Sequence, residues 1–179
     1  MNRLLVSFFA VFSAAACCAA AEKFDACALL TGREIEAVQG DRLASTKSSQ
    51  PQRARFAVAQ CFYTMATFSK SISLEVTRHK AGEAEGPRVY WKQMFARAFG
   101  KQKEREKESG EREERAAAPP RRIEGVGDEA YWDASAIGGG LYVLSGDAYF
   151  RLSVGGPDTE AVKLEKLKKL ARQALRRLR

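Results

Sequence analysis

The sequence predicts an α+β fold: one antiparallel sheet of about five strands, helices packed mainly on one face, in the order α-β-β-α-β-β-β-α. Three observations carry this. Strand-like segments are joined by connections too short for a parallel crossover, ATFS in one case and Gly146-Asp147 in another. In KSISLEVTRH, residues 70–79, Ile72, Leu74 and Val76 alternate with Ser71, Ser73, Glu75, Thr77 and His79. In AYFRLSV, residues 148–154, Phe150, Leu152 and Val154 alternate with Tyr149, Arg151 and Ser153. Such alternation predicts a sheet with one covered face and one partly wet face.

The elements follow in order. MNRLLVSFFAVFSAAACCAAA has a positive start at Arg3, an apolar run from Leu4 to Ala16, and small residues at Ala19, Ala20 and Ala21. That is the pattern of a signal peptide over 1–21, leaving residues 22–179 as a single α+β domain. The apolar run is too short to span a membrane. Lipidation at Cys17 or Cys18 is the alternative, and would tether the chain to a membrane instead of releasing it. The AAAC sequence there lacks the leucine of a good lipobox.

With the leader removed, two cysteines remain, Cys27 and Cys61. In an exported chain they form a disulfide; two separate buried thiols are the alternative. Closing the loop over 28–60 contributes about 3–4 kcal/mol.

CALLTGREIEAVQG, residues 27–40, spells a helix start. Thr31 is the N-cap and Glu34 completes a capping box. Leu30 and Ile35 make a hydrophobic staple, and Gly40 ends the helix. DRLASTKSSQPQR, 41–53, is polar and reads as a loop. ARFAVAQCFYTM, 54–65, reads as a strand that forms a hairpin with 70–79. Pro87 opens a second helix, with Trp91, Met94, Phe95, Ala98 and Phe99 as its core stripe. A charged segment over 101–122 follows; within 101–115 six basic residues balance six acidic ones. It predicts a solvated helix end running into a linker. DEAYWDA (128–134), LYVLSG (141–146) and AYFRLSV then form three short strands. Gly155-Gly156-Pro157-Asp158 leads into a final helix with Leu164, Leu167, Ala171, Leu175 and Leu178 on one face.

Several chemistries lack their signatures. No G-x-S-x-G, S-x-x-K or phosphate loop occurs, and C-x-x-C is missing from residues 22–179. His79 is the only histidine, so a multi-histidine zinc site is excluded, and no metal or cofactor is expected. Cys27 near a helix N-terminus would be an activated thiol, but the disulfide removes it. Asp128 and Glu129 are the one weak carboxylate pair; as strand neighbours they point to opposite faces.

The formal charge is +8. It favours an anionic ligand or surface. The last helix sets Lys163, Lys166, Lys168, Lys169, Arg172, Arg176, Arg177 and Arg179 opposite its leucines. Peripheral membrane contact through that basic face is compatible with leucines in the core. Nucleic acid is not expected as a partner, since the chain carries no recognisable binding motif.

Cys27-Ala-Leu-Leu-Thr-Gly-Arg-Glu-Ile, then Cys61-Phe-Tyr, Gly125-Val-Gly-Asp-Glu-Ala-Tyr-Trp, Leu141-Tyr-Val-Leu-Ser-Gly-Asp and Gly155-Gly156 together resemble a known sequence style. It is that of small exported bacterial proteins, often actinobacterial lipoproteins, grouped as a domain of unknown function with a C-x-L-L-T-x-x-E start. The resemblance covers most of residues 22–179. It implies export and this fold class, and it carries no catalytic residue.

The resulting expectation is an exported envelope protein, periplasmic or extracellular, that binds a ligand or partner and catalyses nothing. Its expected binding face is the polar sheet face with Glu75, His79, Tyr149 and Arg151. The alternatives are an envelope hydrolase using Asp128 or Glu129, and a membrane-surface binder using the basic helix.

Overall fold

The computed structural model describes residues 24–108, 119–134 and 139–178, with the backbone alone for 99–108. The signal peptide expected over 1–21, with Cys17 and Cys18, lies outside the described residues. So do the side chain of Phe99 and residues 109–118 of the charged segment.

Among the described residues seven strands form one antiparallel sheet in the order β1-β2-β3-β7-β6-β5-β4. They are β1 (Leu43–Ser49), β2 (Phe56–Met65), β3 (Ile72–His79), β4 (Arg121–Arg122), β5 (Glu129–Asp133), β6 (Gly140–Ser145) and β7 (Ala148–Val154). Three α-helices accompany them: α1 (Gly32–Gln39), α2 (Pro87–Glu108) and α3 (Glu160–Arg177). The class is α+β, as predicted, but two expectations need correction.

The sheet has seven strands rather than about five, and a different order. The added strands are β1 and β4. All of β1 beyond Leu43 is exposed, so its residues carry no apolar alternation. As an edge strand it needs none, because β2 alone supplies its ladder. β4 is two exposed arginines, paired with Trp132 and Tyr131.

The helices also divide between the two faces. α1 and α3 cover one of them. There, Ala59, Cys61, Tyr63 and Met65 of β2 join Ile72, Leu74 and Val76 of β3 and Phe150, Leu152 and Val154 of β7. Leu164, Leu167, Leu170, Ala171 and Ala174 of α3 pack on them with Leu29, Leu30 and Ile35. α2 lies on the opposite face. Its Trp91 and Phe95 pack with Leu144, and Met94, Tyr131, Tyr142 and Tyr149 surround them. The reason is visible in β6: Leu141 and Val143 point to one face while Leu144 is buried on the other. A strand apolar on both sides needs cover on both.

Local signals in α1 hold. Thr31 Oγ1 accepts from the Glu34 N–H, and Glu34 Oε2 accepts from the Thr31 N–H at 2.8 Å. Gly40 ends the helix at φ 62°, a left-handed conformation that suits glycine. Cys27 and Cys61 are bonded, tying a 3-10 turn (Ala26–Leu29) to β2. Buried Gln39 fastens the other end of α1. Its Nε2 donates to the Lys70 carbonyl and, at 3.4 Å, to that of Gly155, while Lys166 Nζ donates to its Oε1 at 3.0 Å. Gly155 is required there, since a Cβ would collide with the Ser69 carbonyl oxygen.

Candidate functional site

The second face of the sheet is divided by α2. Over β5, β6 and β7 it is a buried aromatic cluster. Trp91 packs against Phe95 in a tilted pair at 4.5 Å between centroids, and Phe95 stacks with Tyr131 at 4.1 Å. Tyr90 extends the cluster to Phe56 and Tyr149. Over β1, β2 and β3 the same face is a groove of about 370 Å³. Its described walls are strand residues, among them Lys47, Ser49, Gln60, Phe62, Ser73, Glu75 and Arg151.

The pairing register makes the floor a set of cross-strand rows. Ser49 stands opposite Gln60, Gln60 opposite Glu75, Glu75 opposite Arg151, and Arg151 opposite Tyr142. The next row runs Lys47, Phe62, Ser73, Ser153. Neighbouring members of a row are close enough to interact directly. Ser49 Oγ donates to Gln60 Oε1 at 3.2 Å, and Gln60 Nε2 donates to Glu75 Oε2. The Ser73 and Ser153 hydroxyls share a bond of 2.6 Å. The Arg151 guanidinium sits 5.7 Å from the Tyr142 ring centroid. Among the described residues no ion pair within 4.0 Å joins Glu75 to Arg151 across their strands.

The four residues singled out in the sequence all lie on this second face, but they are not gathered at one place. Glu75 and Arg151 sit in the groove as direct cross-strand neighbours. Tyr149 is under α2, its ring 5.7 Å from that of Trp91, and it stands opposite Thr77 across the strands. Burial raises its phenol pKa, as it does for Tyr142. His79 is at the far end of β3, with Nε2 3.0 Å from the Glu83 carbonyl. It lines a second cavity of about 420 Å³ with Phe24, Phe56, Arg53, Arg78 and Lys80. The basic groups there are partly committed: Arg78 lies over the Phe24 ring and Lys80 Nζ donates to the Arg53 and Ala54 carbonyls.

Sequence reasoning missed Lys47 and Ser49, because they belong to the segment read as a loop. It also missed Gln60 and Phe62, which alternate with the core residues Ala59, Cys61 and Tyr63. That alternation was the available signal.

The carboxylate pair has structural partners. Asp128 pairs with Arg88 and accepts the Gly146 N–H at 3.0 Å, closing the β6–β7 turn. Glu129 accepts from Trp91 Nε1 at 3.0 Å, beneath α2. Among the described residues no group of three or more His, Cys, Asp or Glu is placed to hold a metal ion.

The disulfide points to a non-cytoplasmic compartment. Among the described residues no helix is long and apolar enough to cross a membrane. In comparisons with protein-family models, curated proteins and solved structures, nothing matches this chain.

Proposed function

We propose that this chain is an exported, non-enzymatic binding domain of the bacterial cell envelope, with the groove over β1–β3 as its ligand face. One observation carries the reading. α2 packs on the aromatic half of the second sheet face, and among the described residues the groove over the other half is lined by strands alone, with Ser49, Gln60 and Glu75 held by their own hydrogen bonds. A concavity in which a few placed polar groups stand among apolar surface is the usual form of a ligand site. The structural roles of Asp128 and Glu129 count against the hydrolase alternative. The disulfide supports export.

The test is retention of ligands from native envelope extract by wild-type protein and by Glu75→Ala and Arg151→Ala variants of verified thermal stability. The reading expects both variants to lose what the wild type retains. Unchanged retention by both would remove the groove from consideration.

One observation favours an additional contact. Lys169, Arg172 and Arg176 of α3 stay exposed at spacings that share a helix face, while Leu167, Leu170, Ala171 and Ala174 are in the core. An anionic membrane surface suits that strip. Co-sedimentation with anionic liposomes that weakens with salt supports it, and no binding at low salt ends it.

A further inference from the structure

The groove also carries information about ligand chemistry. Its floor is the face of a sheet, so its backbone N–H and C=O groups are already spent in the ladders with β1, β3 and β7. An extended peptide is recognised chiefly through backbone bonds at a sheet edge, and the floor strands β2, β3 and β7 are each paired on both sides, which leaves only the outer edge of β1. A small inorganic anion would meet the Glu75 carboxylate, which stands between Gln60 and Arg151. A divalent cation would find a single carboxylate flanked by Arg151 and Lys47. An acyl chain needs an enclosed apolar cavity, and this groove is open and carries Lys47, Glu75 and Arg151.

What the floor does offer is a row of planar, polar side chains: an amide at Gln60, a carboxylate at Glu75 and a guanidinium at Arg151. They repeat at the ~4.8 Å spacing of neighbouring strands, comparable with the length of one pyranose ring. Each planar group makes two parallel hydrogen bonds, which matches a pair of adjacent hydroxyls. The Ser49, Gln60, Glu75 chain holds these groups in place before any ligand arrives, which lowers the ordering cost of binding.

A second, independent feature borders the same groove. Phe62, 37% exposed, lines it, and Phe68, 71% exposed, stands beside Phe62 with ring centroids 6.2 Å apart. Single exposed apolar residues are ordinary, but two adjoining rings at the rim of a polar groove form a platform. The electron-rich face of an aromatic ring attracts the polarised C–H groups of a sugar ring.

Resting on the groove reading, we infer that the ligand class is carbohydrate: a short oligosaccharide lying across β2, β3 and β7, its hydroxyls on Gln60, Glu75 and Arg151 and one sugar ring on the Phe62–Phe68 platform. The experiment is calorimetric titration of the full exported chain with millimolar chitotriose, cellotriose, maltotriose and trigalacturonate, beside a neutral extended peptide. At least one saccharide is expected to bind. Glu75→Gln is expected to weaken it by about 10-fold, the loss of hydrogen bonds to a charged acceptor. Phe62→Ala and Phe68→Ala are each expected to weaken it by about fivefold, the value of one aromatic contact. Both rings are exposed, so these two variants keep the fold, and Arg33→Ala, exposed on α1 on the other side of the sheet, serves as a binding-neutral control. No saccharide binding, or binding indifferent to Phe62 and Phe68, overturns the inference. Peptide binding that depends on Glu75 overturns it too, while leaving the groove as the ligand face.

Discussion

Removing the Trp91 side chain should release α2 from the sheet. Trp91 is fully buried, packed within 4.5 Å of Phe95 and within 6 Å of Tyr131 and Tyr149 by centroid, and its Nε1 donates to Glu129. Truncating a buried tryptophan to alanine costs about 4 kcal/mol, through lost burial and an unfilled cavity. Trp91→Phe keeps most of the ring packing and loses mainly the hydrogen bond to Glu129, a cost of about 1 kcal/mol. At roughly 2–4 °C per kcal/mol for a chain of this size, the alanine variant should melt about 8–16 °C below wild type and the phenylalanine variant only a few degrees below. Urea unfolding gives the free energies, and hydrogen exchange of the α2 amides shows whether the loss is local. The alanine variant should speed α2 exchange while the β2–β3 ladder stays protected. A Trp91→Ala protein within about 1 kcal/mol of wild type, with α2 still protected, would refute this account of how α2 is held on the second face.

Two further outcomes follow from the other face. The disulfide spans a sequence separation of 34, for which the chain-entropy relation gives about 4 kcal/mol. Urea unfolding with and without a phosphine reductant should differ by about that much, and a difference under about 1 kcal/mol would contradict the cross-link's role. Glu34 receives hydrogen bonds from the Arg177 guanidinium, which hold its carboxyl below the ordinary value of 4.5. Its folded form therefore stays charged to lower pH than its unfolded form. The resulting stability is fully present above 4.5 and is lost as pH falls through the folded value. The stability gap between wild type and Glu34→Gln should narrow as pH drops through that range; a gap that widens in acid would show the pairing to be absent.

The parts of this fold that were legible in the sequence are those where local chemistry and burial agree. Thr31, Glu34 and Gly40 satisfy helix ends with their own side chain or backbone, so their roles do not depend on distant contacts. Ile72, Leu74 and Val76 face one layer, and period-two alternation reports that directly. β1 was illegible because an exposed edge strand has no buried side to alternate with, and Ser, Thr and Lys in a row look the same in a loop. The side chosen by α2 was hidden for another reason. Its apolar stripe says that Trp91 and Phe95 are buried but not against which face. The cue lay elsewhere, in the run Leu141-Tyr142-Val143-Leu144 and in Tyr131 and Tyr149 on nominally wet positions. The same effect shaped the site. Alternation put Glu75, His79, Tyr149 and Arg151 on one face, but only α2 separates Tyr149, beneath it, from the Glu75–Arg151 pair beyond its cover. Lys47 and Ser49 entered with β1, which pairing, not composition, adds to the groove.

Chemical-shift mapping on isotopically labelled protein tests the claim that the uncovered half of the second face binds the ligand. Titration with the retained envelope fraction, or with the saccharide that binds, should move resonances of Lys47, Ser49, Gln60, Ser73, Glu75 and Arg151 as one contiguous patch, leaving α3 and the Arg78–Lys80 cavity unchanged. Shifts confined to α3, or to the cavity beside Phe24 and His79, would contradict it.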